Sequence, residues 1–139
     1  MVQPSTITRC DAGTLSRAAP SYVERQSLPT AAVARMIREG GGVPAVAHPI
    51  RLRLPRDRER TVLMELKEAG LLGLEVYHSD HPPEAQAYYR QLAEELDLVP
   101  TGGSDFHGAP KPNVALGTGL RGNLRVPLEF LERLRAVRV

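Results

Sequence analysis

Four histidines and a few well-spaced acids are the residues of this chain whose types suit chemistry, and they are unevenly placed. The densest stretch is Thr101-Gly102-Gly103-Ser104-Asp105-Phe106-His107-Gly108, which follows the apolar run Leu98-Val99-Pro100. Residues i and i+2 of an extended segment point to the same side. Asp105 and His107 are therefore expected to converge just beyond a strand. A carboxylate and an imidazole presented together form a natural ligand pair for zinc, manganese or iron. Taken alone, the spacing also suits a plain loop in which Asp105 makes an Asx turn and His107 meets solvent.

The other histidines follow the same rule. His48 closes the apolar run Val43-Pro44-Ala45-Val46-Ala47, and His78 and His81 follow the run from Leu72 to Tyr77. In a parallel α/β sheet, functional groups gather just past the C-terminal ends of the strands. His48 accordingly reads as a ligand rather than a histidine bonded to a nearby carbonyl. Glu75 is a carboxylate inside an apolar strand and must be paired or bound. It either orients a ligand histidine from behind or pairs with an arginine. Arg51, three residues after His48, is placed to hold an anionic group, since a guanidinium matches phosphate in a fork. The alternative is a solvated basic loop, which is the reading for Arg53, Arg56, Arg58 and Arg60. His78 is expected to contact substrate, and His81, between Asp80 and Pro82, to be a surface turn residue.

These groups need a scaffold, and the chain supplies alternating elements. A helix opens near Leu28-Pro29-Thr30, with Ser27 or Thr30 as cap and Val33, Met36 and Ile37 at helical spacing, and ends at Gly40-Gly41-Gly42. The strand to His48 and an Arg/Pro-rich loop over 50–58 follow. A second helix over 59–69 carries Val62, Leu63, Leu66 and Ala69 on one face. In the next strand Leu72, Leu74 and Val76 share one face, and Glu75 and Tyr77 the other. A third helix over 84–96 has Ala85, Tyr89, Leu92 and Leu96 inward. After the Asp105 loop come a short apolar segment, 114–117, and a last helix over 127–137. This alternation predicts α/β architecture with a parallel sheet. Residues 1–20 read as a loose leader and 21–139 as the folded part, with a short extended piece at 21–23.

Composition narrows the classes. The chain has 139 residues, enough for one small domain, with 42% hydrophobic residues, no Trp and a net charge of +2. Its basic residues form no stripe, so duplex DNA is not an expected partner. Cys10 is the single cysteine, which excludes an intrachain disulfide or a thiolate metal cluster and fits a reducing compartment. No run has the length of a membrane span and no secretory signal layout is present. A cytoplasmic protein is expected.

Ala47-His48-Pro49, Leu74-Glu75-Val76-Tyr77-His78 and Gly102-Gly103-Ser104-Asp105-Phe106-His107-Gly108, in this order, resemble the PHP (polymerase and histidinol phosphatase) domain, most closely its stand-alone bacterial phosphoesterases. Pro20-Ser21-Tyr22-Val23 and the following helix are similar to the family's lead-in to A-H-P. The resemblance runs from about residue 22 to 117 and implies a distorted (β/α)₇ barrel whose mouth holds divalent ions, Mn, Zn, Fe or Mg. It implies His48, Asp105 and His107 as metal ligands and hydrolysis of phosphate from small nucleotides or short RNA. The family opens with an H-x-H motif that this sequence lacks, since no histidine precedes His48. The chain is therefore expected to be the C-terminal part of such a barrel, weak or inactive alone. Its open strand edges would invite self-association or a partner carrying the missing N-terminal half. The competing expectations are a non-catalytic PHP-derived module and a metal-dependent barrel hydrolase acting on amides.

Overall fold

The computed structural model describes residue 23 and residues 27–138. The expected leader and most of the 21–23 piece lie outside the described residues. Three parallel strands, β1 (Ala45–Val46), β2 (Gly73–His78) and β3 (Val99–Gly103), form a sheet in the order β1-β2-β3. They alternate with α1 (Thr30–Glu39), α2 (Arg56–Glu68) and α3 (Pro83–Glu95), and α4 (Glu129–Val137) closes the chain. The expected α/β alternation with a parallel sheet is what the chain forms. Beyond β3 it adds an antiparallel hairpin, β4 (Val114–Ala115) with β5 (Gly119–Leu120). Only a short apolar segment was expected there.

Helix starts follow one local rule. α1, α2 and α3 each begin directly after a proline, Pro29, Pro55 and Pro82, with no side-chain cap bond. Ser27 and Thr30 are thus not caps, because Pro29 takes that position and Thr30 is already helical. α2 starts three residues before the expected Glu59, since Pro55 sets the entry and Asp57 and Glu59 lie in the first turn, where acids are stabilised by the positive end of the helix dipole. β1 is shorter than expected: the Pro44 carbonyl accepts the N–H groups of Leu72 and Gly73, but Pro44 has no donor to extend the ladder.

The core lies on one face of β2. Leu74 and Val76 are fully buried against Leu63 of α2 and Tyr89, Leu92 and Ala93 of α3, joined by Leu71, Leu96 and Leu98. Burying each such aliphatic side chain is worth about 1.5–3 kcal/mol. On the other face, the Tyr77 ring meets Phe130 of α4 at 5.6 Å. Gly102 is required there, since a Cβ would lie 2.7 Å from both Tyr77 Cβ and the Tyr77 carbonyl oxygen. α1 forms where expected and ends at Gly40. Ala34 is its buried residue, while Val33, Met36 and Ile37, which recur at helical spacing, are exposed.

Candidate metal centre

β1 and β3 deliver His48 and Asp105 through the same unusual backbone. Both residues sit in the left-handed region, at φ 47° and 56°. Non-glycine residues there are strained, and such strain collects at functional sites. The turn at His48 is held because its N–H donates to Glu75 Oε2 at 2.7 Å. Glu75 therefore fixes the His48 main chain, and its Oε2 lies 4.0 Å from His48 Nε2. β2 carries a register shift between Glu75 and Tyr77 against β3. Such a bulge adds twist where the strand hands over to His78.

The three strand ends bring His48, His78 and Asp105 together, each offering one ligand atom within 4.8 Å of the others. His48 Nε2 is 3.6 Å from Asp105 Oδ1, and His78 Nε2 is 3.7 Å from Asp105 Oδ2. Ligand atoms around a four-coordinate ion at about 2.1 Å stand roughly 3.4 Å apart, close to each spacing, although the two histidines face different oxygens of the one carboxylate. His78 adds a second sign. Its side chain is 1% exposed and its Nε2 is buried without a hydrogen-bond partner. Burial holds the His78 imidazole below its ordinary pKa, which favours the neutral ring that a metal requires. The Asp80 N–H donates to His78 Nδ1 at 3.0 Å, which in the neutral ring leaves the proton on Nε2. Binding an ion through Nε2 thus requires this ring to release the Asp80 N–H and move its proton to Nδ1.

His107 stands apart from this group. Its ring is more than half exposed and Nδ1 lies 2.7 Å from the Asp105 carbonyl oxygen and 3.6 Å from Asp105 Oδ1. The spacing expected to bring Asp105 and His107 together does so to 3.6 Å, with the His107 ring on the exposed side and outside the trio of His48, His78 and Asp105. Arg51 bonds Asp80 Oδ2 at 2.6 Å and its Nη2 lies 3.6 Å from Asp105 Oδ2. This pairing holds the Asp80 carboxyl below its usual range. His81 is not a surface residue: it is 2% exposed, with Nδ1 2.8 Å from the Val76 carbonyl oxygen.

Two features are absent from the sequence reading. Lys111 Nζ bonds Asp105 Oδ2 and is the first cause of the lowered Asp105 pKa. A lysine six residues beyond an acid in a loop rich in Gly and Pro was the available signal. The second is a buried clasp. Ser79 Oγ donates to the Ser104 carbonyl at 2.9 Å, the Gly117 N–H to Ser104 Oγ at 3.2 Å, and Asn123 Nδ2 to the Ser79 carbonyl at 2.9 Å. It ties the hairpin to the ends of β2 and β3.

With this geometry in hand, similarity to known proteins is informative. No family model matches the chain. Over 74 residues it is 40% identical to the phosphoribosyl 1,2-cyclic phosphate 1,2-diphosphodiesterase of Eggerthella lenta, covering 53% of this chain and 26% of that protein. Over 88 residues it is 28% identical to the 3′,5′-nucleoside bisphosphate phosphatase of Chromobacterium violaceum, covering 63% of this chain and 31% of that protein. Among solved structures, a Bifidobacterium adolescentis protein assigned as a metal-dependent phosphoesterase superposes with TM-score 0.68 at 33% identity, over 89% of this chain and 42% of the other. A Chromobacterium violaceum amidohydrolase with bound sulfate gives TM-score 0.66 at 26% identity, over 88% and 43%. In sequence and in fold the chain is similar to metal-dependent phosphoesterases that act on small phosphate esters. It spans under a third of the curated relatives' length and under half of the solved chains. Among the described residues no helix is long and apolar enough to cross a membrane.

Proposed function

We propose that this chain is the C-terminal portion of a PHP-type (β/α)₇ barrel and contributes to metal-dependent hydrolysis of phosphate esters in small nucleotides or short RNA. The observation that carries the reading is the trio His48, His78 and Asp105, with a buried, partnerless His78 nitrogen aimed at the carboxylate. The phosphatase and phosphodiesterase relatives support it.

Here His48 and Asp105 would hold a divalent ion, and His78 would join them through Nε2. His107, proposed from the D-x-H motif, reaches the same ion by turning its ring off the Asp105 carbonyl. A bound ion of this kind supplies Lewis acidity and lowers the pKa of a water. Glu75 keeps the His48 turn in place, and Arg51, with its exposed guanidinium beside Asp80, meets a phosphate oxygen of the substrate. With so few ligands, turnover by the chain alone is low. The exposed Val33, Met36 and Ile37 of α1 are where a second copy or a partner carrying further barrel strands would pack. The single cysteine fits action in the cytoplasm.

The deciding experiment is manganese and zinc titration of the purified chain, with phosphate release from a nucleoside 3′,5′-bisphosphate followed in parallel. Binding of metal that Asp105→Asn removes supports the reading. A chain that binds neither ion is a non-catalytic module instead, and release of phosphate at the rate of a complete enzyme refutes the low turnover.

A further inference from the structure

We infer that Lys111 is a resident cation on Asp105, a built-in competitor that a divalent ion must displace before it can use that carboxylate fully. The inference rests on the metal reading of His48, His78 and Asp105 given above.

The two oxygens of Asp105 have different neighbours. Oδ1 faces His48 Nε2 and His107 Nδ1, each at 3.6 Å. Oδ2 carries the Lys111 ammonium and lies 3.6 Å from Arg51 Nη2 and 3.7 Å from His78 Nε2. An ion bridging His78 and Asp105 must therefore enter on the side where a positive charge already sits. Like charges at such range repel, and with Lys111 about one third exposed solvent weakens that repulsion without removing it.

Arg51 and Lys111 are not equivalent there. Arg51 is anchored to Asp80 at 2.6 Å and can remain so while the centre changes. No other side-chain bond holds Lys111 among the described residues, and its side chain is about one third exposed on a flexible stem. Its backbone is fixed independently, by its N–H to the Gly108 carbonyl at 3.0 Å and its carbonyl to the Val114 N–H at 3.1 Å. The ammonium can thus leave without moving the loop. The residue type matters as well. Of 18 basic residues only Lys67 and Lys111 are lysines, so an ammonium stands here in a chain that otherwise uses guanidinium. A guanidinium can grip a carboxylate with two parallel bonds, whereas a lysine makes a point contact that exchanges more readily.

The test is calorimetric titration of the full chain with manganese and with zinc, at one pH and ionic strength, for the wild type, Lys111→Met and Lys111→Arg. Circular dichroism melts establish that the variants fold, and Lys111→Gln replaces Lys111→Met should the latter melt early. The expected order of affinity is Met, then Lys, then Arg, with the Met variant about three- to tenfold tighter than wild type, the size of one lost charge contact. Equal or weaker binding by the Met and Gln variants, with the wild type still binding, overturns the competitor role and leaves the metal centre standing. Absence of binding in every variant and in the wild type removes the centre itself, and the competitor with it.

Discussion

Leu74 and Val76 are sealed among Leu63, Tyr89 and Leu92, while a few residues further along the same sheet His48, His78 and Asp105 are held by turns, polar bonds and charge. The first region is secured by non-directional burial, which tolerates substitutions that keep volume. The second depends on left-handed backbone at His48 and Asp105 and on the particular partners Glu75, Asp80 and Lys111. Stability is concentrated on the helix-covered face, and strain at the strand ends. Substitutions should therefore separate the two properties, and four experiments test how cleanly.

The largest effect is expected at the core. Leu74→Ala should lower the unfolding free energy by about 2–5 kcal/mol, read by urea denaturation. A near-neutral result would show that this face is not what holds the domain. Next is Gly102→Ala, whose Cβ would press on Tyr77 and lie 2.8 Å from Val126 Cγ2. A loss of about 1–3 kcal/mol is expected, with disturbance of the Tyr77–Phe130 contact. Comparable stability would mean that β2 and β3 can part without cost.

The third reverses the sign. His48→Gly and His48→Ala should both weaken metal binding, but the glycine variant should be the more stable by about 1 kcal/mol, because only glycine adopts this φ freely. Equal melting temperatures would remove strain from the account of the rim. The smallest concerns the exposed Arg51–Asp80 pair. Since the folded Asp80 pKa is depressed, the pair contributes stability above the ordinary carboxylate pKa and loses it as pH falls through the lowered one. Arg51→Ala should lower the melting temperature slightly at neutral pH and leave it unchanged in acid, so that the fall between the two is smaller than in the wild type. An identical acid profile would make the pair irrelevant to folding.

The scaffold was legible where periodicity was strong. β2, with Leu74 and Val76 inward, and α3, with Tyr89 and Leu92 inward, follow directly from alternation and helical spacing. The strand ends were legible as the place where polar groups gather, but the grouping was not. Spacing joined His48 to Asp105 and His107 and left His78 to substrate, whereas the structure clusters His48, His78 and Asp105. What spacing could not give was rotation about individual bonds. The His107 ring keeps to the exposed side of the Asp105 carboxylate, and the turn after β2 folds His81 under the sheet against Tyr89, 5.1 Å between rings. Lys111 was missed because its role depends on a loop path that no periodicity encodes. α1 forms where its apolar spacing places it, but that spacing does not say which side is covered: Ala34 is buried, and Val33, Met36 and Ile37 are exposed.

Ser104 fastens both ends of the segment that follows it: its carbonyl takes Ser79 Oγ and its hydroxyl takes the Gly117 N–H. Residues 105–116 therefore form a closed bight on one knot. Such a bight can lengthen, shorten or change sequence without tugging on the strands beneath it. Change of sequence within that bight is accordingly limited by its own polar residues, Asp105, His107 and Lys111, and not by the strands below.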